Sequence, residues 1–166
     1  EGTDAENKEV WVVDGEVEEG MGYGFDDVRT TQIYTPGVDI QDKQIEGFKT
    51  MYLLANSGVE DKSIRVKQEV SVEKNTNYAL YAYLSKWGLT GLKSGVIGVM
   101  DSEGNVLTKK TIDGKDISLA RYMLASVVCN TGDNDKVYVF IQSNVELSVG
   151  AYGIGLYADD VKFFKT

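Results

Sequence analysis

Two adjacent carboxylates interrupt an apolar run near the end of the chain, at Asp159 and Asp160. A carboxylate inside a strand-like run is costly when it is buried without a partner. We therefore expect a cation to neutralise at least one of the two. Calcium prefers carboxylate and carbonyl oxygens, and the acidic cluster of Glu16, Glu18 and Glu19 in a Gly-rich stretch offers more of them. The alternative interpretation is that all five are solvated surface acids.

Aromatic side chains stand where the outer face of a strand is normally polar. They are Tyr81 and Tyr83 on a strand predicted over residues 78–85, and Tyr138, Phe140 and Gln142 on a strand predicted over 137–143. If both strands share one sheet, these residues form one aromatic patch opposite the core. Rings cover the apolar faces of sugars, while groups such as Gln142 and Arg65 hydrogen-bond their hydroxyls. The alternative is that residues 25–44 or other loops cover this face, which makes it ordinary core.

The two tryptophans and the single cysteine lie in different sequence surroundings. Trp87 follows a predicted strand, in a predicted loop, where it would be either a sugar-stacking platform or a lid on the end of the fold. Trp11 lies in an apolar stretch that predicts core or a sheet edge. Cys129 alternates with apolar residues, which predicts a buried thiol, and as the single cysteine it excludes an internal disulfide.

The composition argues against an enzyme. The chain has no histidine, which removes Ser–His and Cys–His nucleophile pairs and histidine-based zinc sites. Among 26 acidic residues some pair is always available, so mere presence of carboxylates does not indicate glycoside hydrolysis. The Glu-x-Asp-x-x-Glu spacing of jelly-roll glycosidases is absent. We therefore predict a binding function rather than catalysis.

Chain length and net charge limit the number of domains and the kinds of ligand that we expect. A chain of 166 residues is long enough for one domain with a real core, and we predict a single domain over 1–166 with residues 1–8 as a flexible lead-in. The net charge of −9 argues against binding to nucleic acid or to anionic membranes. No apolar run approaches the ~18 residues that cross a membrane. We expect no membrane insertion.

Short alternating segments separated by turn residues predict an all-β fold. The predicted strands cover 10–13, 48–55, 63–72, 78–85, 94–100, 106–109, 121–129, 137–143 and 156–165. The Gly-rich stretch 14–27 predicts a loop, and residues 28–44 are weakly patterned with a turn at Pro36-Gly37. This regular spacing is typical of a jelly-roll β-sandwich of two antiparallel sheets.

Three short motifs add a resemblance to a known family. They are Asp-Gly-Glu-Val-Glu-Glu-Gly at 14–20, the Val-Lys-Gln-Glu-Val-Ser-Val segment at 66–72 with the tyrosine strand at 75–84, and Tyr-Ala-Asp-Asp-Val-Lys-Phe at 157–163. Together they resemble the galactose-binding-domain-like carbohydrate-binding modules of families 4, 9, 16 and 22. Val17 replaces the aromatic residue usual in the first motif.

This resemblance implies a jelly-roll sandwich with a structural calcium near the paired termini. Glu18 and Asp159 would be ligands of that calcium, with Asp160 as a further candidate. It also implies glycan binding, either on a concave sheet face or at the loop end. Tyr81, Tyr83, Trp87, Tyr138, Gln142 and Arg65 would contact the glycan, and Phe140 would line the floor.

The resulting hypothesis is a non-catalytic carbohydrate-binding module of a larger secreted or surface-attached bacterial protein. Its partners would be a polysaccharide or glycan and other domains of the parent protein. The rival hypothesis is a structural or protein-interaction β-sandwich, in which a neighbouring domain buries the aromatic face.

Overall fold

The chain folds into ten strands in the computed structural model, which describes residues 10–27, 49–88, 90–119 and 121–166. The strands are β1 (Val12–Val13), β2 (Met21–Asp27), β3 (Lys49–Ala55), β4 (Ser63–Ser71), β5 (Asn77–Trp87), β6 (Leu92–Met100), β7 (Val106–Asp113), β8 (Met123–Asn130), β9 (Lys136–Val145) and β10 (Ile154–Lys165). The predicted lead-in 1–8 and the predicted turn at Pro36-Gly37 lie outside the described residues.

The strands form two five-stranded antiparallel sheets. Sheet A has the order β1-β4-β9-β6-β7, and sheet B has the order β2-β3-β10-β5-β8. Their inner faces share one hydrophobic core. Fully buried members of that core are Val66, Ile97 and Ile141 from sheet A and Leu80, Leu84 and Leu156 from sheet B. The predicted all-β sandwich of two antiparallel sheets is therefore confirmed.

Side-chain alternation explains why most strands were predictable. In β4, Ile64 and Val66 are buried, while Arg65 and Lys67 at the alternate positions are partly exposed on the other face. Successive side chains of a strand point to opposite faces, so one row enters the core and the other does not. The same rule orders β9, where Val139 and Ile141 face the core.

The predicted loop over 14–27 is wrong in its second half, where β2 forms. Met21, Tyr23 and Phe25 lie on the core side of this strand and pack against the core. Gly22 and Gly24 occupy the alternate positions. Glycine is unfavourable inside a strand, which is why this stretch predicted a loop, but the period of two in its large residues was the signal of a strand.

Strand β10 contains a bulge at the two adjacent acids. Asp159 pairs with Tyr83 and Lys162 pairs with Tyr81, so β10 has one more residue than β5 in this interval. Asp160 takes the left-handed conformation, with φ 46°. Its backbone N–H donates to Asp159 Oδ1 at 2.8 Å, and its carboxylate lies 2.9 Å from Lys162 Nζ. The bulge thus gives Asp160 a cationic partner within the protein.

Candidate functional site

The residues predicted to form one aromatic patch lie on two different faces. β5 belongs to sheet B, whereas β4 and β9 belong to sheet A. The condition that the two tyrosine-bearing strands share a sheet is therefore not met. Tyr81, Tyr83 and Trp87 lie on the outer side of sheet B, and the remaining predicted contacts lie on the outer side of sheet A; these are Arg65, Tyr138, Phe140 and Gln142.

On sheet B, three rings from three neighbouring strands meet at one end of the outer face. The ring centroid of Trp87 lies 5.0 Å from that of Tyr157 and 6.4 Å from that of Tyr52. We call Tyr52, Trp87 and Tyr157 the aromatic cluster. Trp87 is the last residue of β5, so the predicted loop position is wrong. A strand position holds this ring more firmly than a loop would.

Two glycines make room for the cluster. A methyl group at Gly155 would lie 2.6 Å from Cζ3 of Trp87, and one at Gly24 would lie 2.6 Å from Cζ of Tyr52. Both rings therefore occupy the space above the backbone of a neighbouring strand. Any larger residue at either glycine would push the ring away from the sheet.

Further along the same face, Tyr81 and Phe164 form a second aromatic pair. Their ring centroids are 5.1 Å apart in an edge-to-face arrangement, and the residues are 37% and 41% exposed. Tyr83 lies between this pair and the aromatic cluster on β5. Tyr81 and Phe164 are therefore accessible to a ligand. In the aromatic cluster Tyr157 is 4% exposed, so a ligand could contact only the partly exposed rings of Tyr52 and Trp87.

Polar groups lie among these rings. Thr50 Oγ1 is 3.1 Å from the carbonyl of Ala158 and 2.9 Å from the hydroxyl of Tyr122. Since the Thr50 hydroxyl has one proton, which it donates to the carbonyl, the Tyr122 hydroxyl donates to Thr50. Burial raises the pKa of Tyr122, and the nearby charge of Asp159 raises it further. The phenol stays protonated at physiological pH, and its oxygen retains acceptor capacity.

On sheet A, the predicted aromatic floor is covered. Phe140 is 1% exposed and forms a small outer cluster with Val96, Met100 and Tyr138. The Arg65 guanidinium lies 4.7 Å from the centroid of the Phe140 ring. Such a cation–π contact desolvates the ring face, so Phe140 cannot act as an open stacking platform.

Above this cluster runs a continuous row of polar side chains, which we call the polar row. Arg65 donates to Asp14 Oδ2 at 3.2 Å and to Gln142 Oε1 at 2.7 Å. Gln142 Nε2 donates to Asn144 Oδ1 at 2.6 Å, and Asn144 Nδ2 donates to Ser94 Oγ at 2.8 Å. Each amide is therefore fixed in orientation by the next.

Asp14 fixes the cationic end of the polar row. It also accepts from Lys67 Nζ at 2.5 Å. Burial acts to raise the pKa of the Asp14 carboxyl, but the hydrogen bond and charge of Lys67, together with Arg65, outweigh it and hold that pKa below its ordinary value. The carboxylate is thus ionised at neutral pH and holds both cations.

Two adjoining depressions lie beside the polar row. One, of about 220 Å³, is lined by Asp14, Arg65 and Gln142 together with Glu16 and Glu18. The other, of about 330 Å³, is lined by Ser94 and Asn144 and by Lys62 and Lys93. Glu18 and Ser63 line both, so the two depressions share a border.

The three predicted calcium ligands do not meet. Met21 and Ile154 both pair with Ala55, and Glu18 lies in the turn that precedes Met21, with its carbonyl accepting from Met21 N. Asp159 lies five positions beyond Ile154 on β10, which corresponds to roughly 16 Å at the usual rise per residue. Within the described residues, no group of three or more acidic or cysteine side chains could hold a metal ion. Glu18, Asp159 and Asp160 therefore do not fit a shared calcium site.

Sequence reasoning missed Tyr52, Tyr122 and Tyr157. Tyr52 and Tyr157 belong to predicted strands whose two faces are both apolar, so alternation gave no sign of which face carried the rings. Tyr122 precedes β8 and reaches Thr50, 72 positions away in the chain. Only the strand order of sheet B brings these residues together.

Several solved structures have a fold similar to that of this chain. The family 61 carbohydrate-binding module TmCBM61, solved with β-1,4-galactotriose, is 13% identical with a TM-score of 0.61, covering 94% of this chain and 88% of that one. The CBM22-1 xylan-binding domain of Paenibacillus barcinonensis Xyn10C is 10% identical with a TM-score of 0.57, covering 99% and 88%. An apo cyclase from Fischerella sp. is 13% identical with a TM-score of 0.66, covering 94% and 82%.

The chain therefore has the β-sandwich fold of carbohydrate-binding modules, and the predicted resemblance is confirmed at the level of fold. The same fold also occurs in the cyclase. No protein-family model matches the chain, and no curated protein sequence matches it. Helices able to cross a membrane were not found among the described residues.

Proposed function

We propose that this chain is a non-catalytic module that binds polysaccharide on the outer face of sheet B. The observation that carries the proposal is the aromatic cluster, in which Trp87 and Tyr52 lie over Gly155 and Gly24. Rings that fill glycine notches are held against the sheet before any ligand arrives. Sugar rings have apolar C–H faces that stack on such surfaces with little loss of side-chain entropy.

The length of the face suits a chain of sugars rather than a single one. The aromatic cluster lies at one end of β5. Tyr83 is four residues from Trp87, and Tyr81 is two residues further along the same strand. Alternate positions on a strand are about 7 Å apart. Tyr83 and Tyr81 would contact successive parts of an extended glycan, and the Tyr122 oxygen would accept a hydrogen bond from a hydroxyl.

The non-catalytic assignment follows from the side chains available. The chain has no histidine and no Glu-x-Asp-x-x-Glu motif, so neither histidine-assisted nucleophilic catalysis nor that glycosidase mechanism is supported. Modules that bind insoluble or extracellular polysaccharides work outside the cell. We extend the proposal to a secreted or surface-attached bacterial parent protein with further domains.

A second candidate function is docking to another domain or protein. It is favoured by exposed apolar side chains on sheet B, where Leu124 and Val128 on β8 are 46% and 61% exposed beside Tyr81 and Phe164. Contiguous apolar surface often marks an interaction site. This function uses the β8 end of the face and leaves the aromatic cluster unexplained, so we rank it second.

Affinity electrophoresis against a panel of soluble plant and host polysaccharides tests the proposal. We expect one or more polymers to retard the wild type and the Trp87→Ala variant to lose that retardation. Trp87→Phe, which retains a ring, should retain part of it. Tyr138→Ala, which removes an aromatic residue from the opposite sheet, is the control and should bind as the wild type does.

Retardation that survives in Trp87→Ala would contradict the assignment of the face. Absence of retardation by every polymer, together with self-association or capture of a parent domain that Val128→Lys abolishes, would favour the docking function. The two functions are thus distinguished by variants on the same sheet.

Calcium binding stays a prediction that rests on the resemblance, since no group of three or more acidic side chains among the described residues could hold the ion. The melting temperature in EDTA and after addition of calcium tests it: a decrease that calcium reverses supports a calcium site, and an unchanged value contradicts it. Because Glu18 and Asp159 are far apart, at most one of the variants Glu18→Gln and Asp159→Asn should abolish the response.

A further inference from the structure

We propose that this chain forms a two-fold symmetric dimer, in which strand β8 pairs antiparallel with β8 of a second copy. β8 ends sheet B, and within the described residues its hydrogen-bonded neighbour is β5 alone. Alternate residues of an antiparallel strand turn their N–H and C=O groups to opposite sides, so half of these groups in β8 point away from β5. Such an open edge is a template for a further strand.

β8 lacks the features that usually protect an edge strand from pairing. These features are charged side chains, proline, bulges and short length. β8 has eight residues inside an uncharged stretch that runs from 122 to 132, and its register with β5 has no bulge. In contrast, β7 at the edge of sheet A carries Lys109, Lys110 and Asp113, and β2 at the other edge of sheet B ends in two aspartates. β8 is therefore open to pairing where these edges are protected.

The outer row of β8 is self-complementary about Ser126. Opposite residues of antiparallel strands lie on the same face of the sheet, so the two-fold axis must pass through a residue position. With the axis at Ser126, Leu124 lies opposite Val128 of the second copy, and these two exposed apolar residues cover each other; they are 46% and 61% exposed. An axis at Val127 would instead place Leu124 opposite Asn130. The outer row thus favours a second copy of β8, in this register, over an unrelated strand.

The inner side of β8 would be covered by the same pairing. Met123 and Val127 pack against the core but are only partly buried at its border. The axis at Ser126 puts Val127 opposite Ala125 of the second copy, and Met123 opposite Cys129. A free cysteine behaves as a small apolar residue, so the pairing buries no charge on this side. Both faces of β8 therefore gain apolar contacts in the dimer.

Charge explains why two copies would meet through β8 and why the dimer should be weak. A net charge of −9 makes two copies repel each other, and this repulsion is smallest at an uncharged stretch. β7 lies beside β8 at the open side of the sandwich, so the same axis brings Lys109 and Lys110 of both copies towards each other. A contact one strand wide is small, and we expect a dissociation constant between about 1 µM and about 1 mM.

The dimer would place both aromatic clusters on the same side. Antiparallel pairing at the edge requires a two-fold axis perpendicular to the sheet, which joins two five-stranded copies of sheet B into one continuous sheet. A polysaccharide that engages both outer faces would then gain from effective concentration. This consequence rests on the proposed function, whereas the dimer itself does not.

Sedimentation equilibrium of the full chain without sugar tests the dimer. We expect the average mass to rise from 18.3 kDa towards twice that value as the concentration approaches about 1 mM. Val128→Lys and Leu124→Glu, introduced singly, should each weaken association at least 10-fold, or about 1.4 kcal/mol, because each places a charge opposite an apolar side chain. Leu147→Lys, at a residue that is 42% exposed outside the strands, is the matched control and should associate as the wild type does.

The double variant Leu124→Glu/Val128→Lys tests the register. Within one chain the two side chains are four residues apart on β8, but in the proposed dimer each carboxylate lies opposite an ammonium of the second copy. Opposite charges across a ladder stabilise the pair. The double variant should therefore associate more tightly than either single variant. Association no tighter than that of the single variants would overturn the proposed pairing.

Disulfide capture is a second test that does not depend on the strength of the dimer. At the two-fold axis the Cα atoms of position 126 would be about 4.5–5.5 Å apart, which suits a disulfide. Ser126→Cys should give a covalent dimer under mild oxidation. Ser102→Cys, at an exposed turn, is the control and should stay monomeric. Both variants retain the buried Cys129, so its contribution is the same in each.

The outcomes separate the dimer from the proposed function. A mass of 18.3 kDa at every concentration, or no covalent dimer of Ser126→Cys, overturns the dimer, and Trp87-dependent polysaccharide retardation would still support the proposed function. Growth beyond the dimer also overturns it, because a two-fold contact closes on itself. Association of Trp87→Ala equal to that of the wild type supports the dimer, even if no polysaccharide retards either protein.

Discussion

Gly155 decides the position of Trp87 and is the residue on which the proposed binding face most depends. An added methyl group would lie 2.6 to 2.8 Å from three atoms of the indole. Neighbouring β5 and β10 are both paired on two sides, so the backbone has little freedom to move away. The indole must leave its place above the sheet instead.

We therefore expect Gly155→Ala to destabilise the fold by about 1–3 kcal/mol, to change tryptophan fluorescence and to weaken polysaccharide retardation. Gly22→Ala is a matched control, because Gly22 also lies in a strand of sheet B but has no atom within 4 Å of its added methyl group. Thermal unfolding and affinity electrophoresis check both. Equal stability and binding of the two variants would contradict this role of Gly155.

Asp14 makes the polar row sensitive to acid. The partners of this carboxylate lower its pKa below the ordinary value of 3.8. A carboxyl with a lowered folded-state pKa contributes stability above the unfolded value, and this contribution is lost as the pH falls through the folded value. Asp14→Asn should therefore cost about 1 kcal/mol at pH 7.

The stability difference between wild type and Asp14→Asn should shrink as the pH falls below 3.8. Urea unfolding at pH 7 and at several acidic values measures it. Asp133→Asn, a change at an exposed loop position, is the control. A difference that stays constant with pH would show that Asp14 does not act through its charge.

At the scale of elements, the bulge in β10 accounts for the two adjacent acids that the sequence presents. The extra residue keeps Ala158 and Phe163 on the core side of the strand while Asp160 pairs with Lys162. Asparagine tolerates the left-handed conformation of Asp160, but a β-branched residue does not.

Asp160→Asn should change the free energy of unfolding by no more than about 1 kcal/mol, the value of a partly exposed ion pair. Asp160→Val should cost about 1–2 kcal/mol more, because of its backbone conformation. Chemical denaturation compares the two. Equal stabilities would mean that the bulge relaxes when Asp160 is replaced.

The alternation of residues predicts strands and faces but not the sheet to which a strand belongs. Val66 and Ile141 were recognisable as core residues, and Tyr81 and Tyr138 as outward ones. Whether β5 and β9 are neighbours depends on long-range pairing that no local pattern encodes. This is why the predicted site residues are on outer faces as expected but are divided between two sheets.

Glycine residues explain why the sequence did not predict strand β2 or the position of Trp87. Gly22 and Gly24 led to the prediction of a loop because glycine is unfavourable in a strand. The role of Gly24 follows only from the Tyr52 ring that lies above it. The value of Gly155 to Trp87 is likewise invisible in sequence. A glycine that leaves space for a ring does not indicate in the sequence which distant residue supplies that ring.

At the scale of the whole molecule, the central strand of each sheet comes late in the chain. β9 lies in the middle of sheet A, and β10, the final strand, lies in the middle of sheet B between β3 and β5. In contrast, β1 is a two-residue strand at the edge of sheet A. Removal of a terminal strand should therefore have very different effects at the two ends.

A chain ending at Gly153 should fail to fold, since it leaves β3 and β5 without their shared partner and removes Leu156 and Ala158 from the core. A chain beginning at Asp14, which lacks β1, should retain a cooperative transition. Near-UV circular dichroism and thermal unfolding compare the two. A folded 1–153 fragment would contradict the central role of β10.

The position of β10 also has a consequence during synthesis. Until β10 has left the ribosome, β3 and β5 have exposed edges that cannot be joined correctly, and the apolar faces of both sheets lack part of their cover. The nascent chain must wait in this incomplete form, which is prone to aggregation. A C-terminal domain or linker in the parent protein would let β10 emerge while translation continues and so shorten that vulnerable interval.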